Sequence, residues 1–198
     1  MTRQTQYPSP VAVVRRLLLA VWMLIMSFNS FYGYQHPILN WDLLPYTGLG
    51  IEAGEGKRVS LRQAALDDLQ QAFGREAVSA MNAGNSYTRA VAVDDEAYAA
   101  QLPFYRVKPL YISLIGLVGK MLESYSKAAI LICSVCFMGI AFALWQIRPR
   151  GFPATVWFVM LVLLLFNPWA RIYWYARAAT PDPLAMLFFF GRFLFSVS

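Results

Sequence analysis

Two aspartates in this chain have unusual surroundings. Asp42 lies in Asn40-Trp41-Asp42-Leu43-Leu44-Pro45-Tyr46, with apolar neighbours on both sides. A carboxylate in such a setting suits proton transfer, whereas most loop carboxylates are simply solvated. Asp182, in Thr180-Pro181-Asp182-Pro183-Leu184, precedes an apolar run. An acid at the mouth of a membrane helix is a functional candidate. It is equally a candidate N-cap, with Pro183 at the first helical position. Arg106 and Lys108, in Phe104-Tyr105-Arg106-Val107-Lys108-Pro109-Leu110-Tyr111, put two cations before another apolar run. They could hold an anionic lipid headgroup or a sugar-linked phosphate, or snorkel at an interface. Arg171 and Arg177, among Trp169, Tyr173, Trp174 and Tyr175, read first as an aromatic belt with snorkelling cations and second as phosphate ligands. His36 has no second His or Cys at ligand spacing, which argues against zinc. Cys133 and Cys136 share a helix face inside an apolar run and pack as small apolar groups. The sequence holds no Walker loop, no GxGxxG and no serine nucleophile motif.

These residues must be positioned by membrane helices. Of 198 residues, 58% are hydrophobic and 14% charged, against about 25% charged in soluble domains. Two cysteines exclude a disulfide scaffold. The net charge of +6 does not describe a nucleic-acid face. Residues 35–127 carry nine Lys and Arg against ten acids, and the excess falls at Arg3, Arg15, Arg16, Arg148, Arg150, Arg171, Arg177 and Arg192, around the apolar segments. The spacing predicts about four transmembrane helices, near 17–34, 128–146, 152–170 and 184–198, in a single all-α membrane domain. The first run is long and aromatic and lacks a small-x-small cleavage site, so it reads as a span and not a signal peptide. Residues 109–122 reach only about 21 Å, short of a hydrocarbon core of about 30 Å, and are expected at the interface. That arrangement keeps Arg148 and Arg150 on the same side as Arg15 and Arg16, as the positive-inside rule prefers. The expected protein is a multi-pass cell-membrane protein with a cytoplasmic N-terminus and a large external loop, 35–127.

Within that loop, Ser60 and Gln63 fit a capping box, with Gly74 as the stop. Leu61, Ala65, Leu69 and Phe73 form one apolar stripe of an amphipathic helix. Residues 82–86 read as a turn. Asp94 is expected to cap a short helix that Pro103 stops.

The order of these pieces resembles the N-terminal part of the GT-C superfamily, integral membrane glycosyltransferases that use polyprenyl-phosphate sugars. A first helix starts inside. The external loop opens with an aspartate and closes with Lys108-Pro109-Leu110-Tyr111, and a basic turn follows the next span. A short second external loop then carries Asp182 at the mouth of the fourth helix. The resemblance implies that Asp42 is the first-loop catalytic base or metal ligand and that Asp182 lies beside the same site. It also implies that Arg106, Lys108, Tyr111 and Arg177 are near the lipid phosphate. A divalent metal between Asp42 and Asp182 is the cofactor it admits. Family members are longer and have more spans, so this chain is expected to be the N-terminal portion of such an enzyme. The partners would be the bilayer, a polyprenyl-phosphate-linked sugar and an acceptor glycan, lipid or protein, with no nucleic acid. The competing expectation is a non-enzymatic membrane scaffold or assembly subunit, which would leave Asp42 and Asp182 far apart. A transporter is disfavoured by the lack of an internal repeat.

Overall fold

The computed structural model describes residues 9–56, 60–149, 151–167, 177–178 and 180–196. These form α1 (Pro10–Gln35), α2 (Leu43–Glu55), α3 (Leu61–Phe73), α4 (Arg75–Asn82), α5 (Ser86–Val93), α6 (Asp95–Arg106), α7 (Pro109–Leu122), α8 (Tyr125–Gln146), α9 (Ala154–Leu165) and α10 (Asp182–Ser196). Among the described residues there is no strand, and the β-type pairing is a parallel bridge between Ile38 and Ala178. The fold is all-α.

Two helices, α1 and α8, are long and apolar enough to cross a membrane by length and composition. They run antiparallel. Trp22 Nε1 donates to Ala141 O (2.9 Å) near one end, and Ser30 Oγ donates to Ser134 O (3.3 Å) nearer the other. Helix α9 has 12 residues and α10 has 15, or about 18 and 22 Å of rise. Helix α9 is shorter than the expected third span, whereas α10 is as long as the expected fourth and begins two residues earlier; residues 168–170 and 197–198 lie outside the described ones. Leu187 of α10 packs so closely on α8 that a Cβ at Gly139 would meet its Cδ1 at 2.7 Å.

Helix α8 belongs to two hydrophobic cores. Its first half, Tyr125 to Cys136, packs into a core shared with α2, α3, α6 and α7, and its second half, from Phe137 to Trp145, packs with α1 and α9. The second core encloses a cavity of about 160 Å³ lined by apolar side chains of α1, α8, α9 and α10. The start of α8 is fixed from α3, because Asp68 accepts from the backbone N–H groups of Tyr125 (3.0 Å) and Ser126 (2.9 Å). These are free donors of a helix's first turn, so a carboxylate from outside the helix caps it.

Three local expectations gain detail, and one helix was not expected. Helix α3 has Ser60 as its cap and Gly74 as its stop, with Ala65 and Leu69 fully buried. However, the Gln63 amide donates to Asp67 Oδ1 (2.8 Å), one turn on along its own helix. Asp94 caps α6 through Glu96 N (3.0 Å), but the helix continues through Pro103 to Arg106. Pro103 lacks the N–H that would reach Ala99, and Ala99 is exposed, so water can satisfy that carbonyl. Helix α7 covers the expected residues yet lies along α8: Tyr111 reaches Ala129 and Cys133, while Gly119 abuts Tyr125. It is therefore an antiparallel partner of α8. Helix α2, whose Pro45, Gly48, Gly50 and Gly54 disguise it as a loop, is the main unforeseen element. It runs parallel to α7, with Tyr46 against Tyr111, Gly50 against Ile115 and Gly54 against Gly116. The missing side chains let the two backbones approach.

Candidate functional site

The parallel packing of α2 and α7 brings their N-termini together. Asp42 occupies the N-cap position of α2, but its side chain makes no capping bond. Its carboxylate turns aside, where Oδ1 accepts from the Tyr105 hydroxyl (2.7 Å) and Oδ2 faces Asn40 Nδ2 (3.5 Å). One helical turn beyond Asp42, Tyr46 is 1% exposed. Its hydroxyl accepts from Lys108 Nζ (2.9 Å), which comes from the N-cap of α7. Tyr46 also meets Tyr105 and Tyr111 edge to face, and Trp41 meets Tyr105 the same way.

Asp182 influences the same group by its charge, from a segment distant along the chain. Helix α10 begins on Asp182 itself, and Ala185 N donates to Pro181 O (3.1 Å), so Pro181 and not Asp182 takes the cap position. The Asp182 side chain is exposed and has no hydrogen-bonded or ionic partner among the described residues. Burial pushes the Tyr46 phenol well above its ordinary pKa, and the negative charges of Asp42 and then Asp182 push it further. Two acids far apart in sequence thus act on one hydroxyl. The Tyr105 phenol is likewise raised, by burial first and then by its hydrogen bond to Asp42. Both tyrosines stay protonated through the physiological range.

The two flanking segments are tied to each other. Ile38 N donates to Arg177 O (3.0 Å), and Arg177 Nε donates to His36 O (2.8 Å). Cys133 Sγ donates to Thr180 O (3.0 Å), anchoring the entry to α10 on α8. Its partner in the CxxC, Cys136, is buried in the same core, and both thiols are free.

The expected phosphate-binding residues have different environments. Lys108 faces the cluster. Arg106 is committed to Glu52 through both carboxylate oxygens (3.1 and 2.8 Å). Tyr111 is fully buried, and its hydroxyl meets Ala129 O and Cys133 Sγ, so it supports Tyr46 from behind and fixes α7 on α8. Arg177 lies against the Tyr32 ring and the His36 carbonyl. Arg171 lies outside the described residues.

No three His, Cys, Asp or Glu side chains among the described residues gather as metal ligands. Two carboxylates such as Asp42 and Asp182 could hold a divalent metal only together with water and substrate phosphate oxygens. A separate groove of about 520 Å³ is lined by Glu55, Asp67, Asp68, Lys120 and Glu123. There Asp68 is spent on α8, and Glu55 accepts from the Tyr125 hydroxyl (2.7 Å).

Sequence reasoning missed Tyr46, Tyr105, Asn40 and Thr180. The spacing of Asp42 and Tyr46, four apart and so on one helix face, was the available signal for Tyr46. Asn40 Oδ1 and Thr180 Oγ1 are two of five buried side-chain atoms without a hydrogen-bond partner among the described residues. An unmade buried hydrogen bond costs about 1–3 kcal/mol.

No family model, curated protein or solved structure matches the chain.

Proposed function

We propose that this chain is the N-terminal portion of a GT-C-like membrane glycosyltransferase. It would transfer a sugar from a polyprenyl-phosphate donor to an acceptor hydroxyl on the extracytoplasmic face of the cell membrane. The observation that supports this reading is the joining of Asp42, Tyr105, Tyr46 and Lys108 into one cluster, with the charge of Asp182 acting on the same Tyr46 phenol.

The membrane setting follows from surface and charge. Leu17, Leu24, Phe28 and Phe31 on α1 are each more than 60% exposed, a surface that lipid stabilises and water does not. Counted from the Trp22–Ala141 contact, antiparallel packing brings Arg15 and Arg16 level with the Arg148 turn. A shared basic end suits the cytoplasmic side and leaves the Asp42 cluster toward the outside.

The chemistry follows from the groups at hand. Asp42, oriented by Tyr105, takes the proton of the acceptor hydroxyl, and that oxygen attacks the anomeric carbon of the donor. The bond from the anomeric carbon to the phosphate oxygen breaks, and its electron pair leaves with the lipid phosphate. Lys108 stabilises that departing charge, and does so more as the charge grows. The buried Tyr46 oxygen accepts from Lys108 and so holds the ammonium in place. The N-termini of α2, α7 and α10 add partial positive charge at the same place.

In the full-length protein, Asp42→Asn should abolish sugar transfer from a polyprenyl-phosphate sugar while membrane insertion stays normal. Transfer at the wild-type rate in that variant would remove Asp42 as the base.

A further inference from the structure

The parallel bridge between Ile38 and Ala178 sets two segments side by side. Two residues past the bridge lie Asn40 on one segment and Thr180 on the other. Two residues further lie Asp42 and Asp182. Asn40 Oδ1 and Thr180 Oγ1 are both buried and lack a partner among the described residues, and Thr180 is 6% exposed. Its backbone carbonyl accepts from Cys133, which anchors this residue on α8. The orientation of the Asn40 amide follows from its neighbour. Nδ2 faces Asp42 Oδ2, because two oxygens would repel, and Oδ1 is therefore the free end.

From these two free oxygens we infer that Asn40 and Thr180 bind hydroxyl groups of the sugar ring and set which sugar the site takes. This rests on the transferase reading above. An amide oxygen can only accept, so a phosphate dianion, which offers no hydrogen, cannot satisfy Asn40. A sugar hydroxyl can give its hydrogen to Asn40 Oδ1, and another can exchange a hydrogen bond with Thr180 Oγ1. The site is thereby divided: the phosphate lies against Lys108, and the ring lies against Asn40 and Thr180. A sugar lacking the hydroxyl that meets Asn40 would leave that oxygen unpaired, so the pair discriminates among sugars as well as binding them.

The test uses the full-length protein in lipid nanodiscs with two probes, a polyprenyl phosphate and a panel of methyl pyranosides and furanosides. Thr180→Val and Asn40→Leu should each weaken the best methyl glycoside at least tenfold and leave polyprenyl phosphate within twofold of wild type. Lys108→Met should show the reverse pattern. Thr180→Ser, which keeps the hydroxyl, should bind the glycoside nearly as wild type does. Thr180→Val should melt no lower than wild type, since it replaces an unpaired hydroxyl with a methyl. Unchanged glycoside affinity in Thr180→Val and Asn40→Leu, with phosphate binding still lost in Lys108→Met, overturns the sugar assignment and leaves the transferase reading standing. Binding of the phosphate with no glycoside of the panel held by wild type has the same consequence. Failure of wild type to bind either probe overturns both.

Discussion

Asp42, Tyr46, Tyr105 and Lys108 form one electrostatic unit, because each changes the proton affinity or orientation of another. The tyrosines give it a measurable signature. Tyr46, Tyr98 and Tyr105 all have phenol pKa values raised above the ordinary 10.0, with burial as the largest cause. Below about pH 10 these phenols are neutral in both folded and unfolded chains, and their contribution to stability is fully present. Above it the unfolded chain releases protons that the folded chain keeps. Stability should then fall with rising pH, by up to about 1.4 kcal/mol per pH unit for each phenol. Ultraviolet difference absorbance and circular dichroism, followed together, should show these phenols ionising as helix is lost. Ionisation near pH 10 with helix intact would mean that the cluster is open to water.

At the scale of elements, the site depends on how closely α2 and α7 approach. A Cβ at Gly116 would lie 3.0 Å from both Ala53 Cβ and Gly54 N, and the latter is backbone that cannot yield without moving α2. Gly116→Val should cost about 1–3 kcal/mol through overpacking and should separate Lys108 from Tyr46. At Gly84 a Cβ would meet nothing nearer than Thr88 Oγ1 at 3.6 Å, so Gly84→Ala should stay within about 0.5 kcal/mol. Thermal unfolding of both variants in detergent checks the contrast. The same helix pair shows what was legible. Helix α7 was visible as an apolar run with Pro109 at its first position. Helix α2 was not, because its glycines count against a helix until a partner surface requires them. Leu43, Leu44, Tyr46, Thr47 and Leu49 in α2 are all almost fully buried, and that burial outweighs weak local propensity.

At the scale of the molecule, α8 joins a head built from the first loop to the core that α1 and α9 share. The proposed orientation places the head outside and the Arg148 turn inside. Ser79→Cys on the exposed face of α4 should react with a membrane-impermeant maleimide in intact cells, and Pro149→Cys only after permeabilisation. Both native thiols are buried and should stay silent. Reaction of Pro149→Cys in intact cells would reverse the orientation and move the site to the cytoplasm.

By itself, the sequence determined the properties that depend on composition and short spacing. It gave the helical class, the apolar extent of α1 and α8, the Ser60 and Asp94 caps, and the distribution of charge around the apolar segments. Hydrophobic period and capping are local, so they can be read without a partner. Tertiary structure decided which of the marked residues meet. It took Arg106 away to Glu52, buried Tyr111 as a support, and freed Asp182 from its cap. It also joined Asp42 and Lys108 through Tyr105 and Tyr46 and brought the charge of Asp182 to bear on Tyr46. Such meetings depend on the approach of helices distant along the chain, and spacing within one segment does not encode that approach.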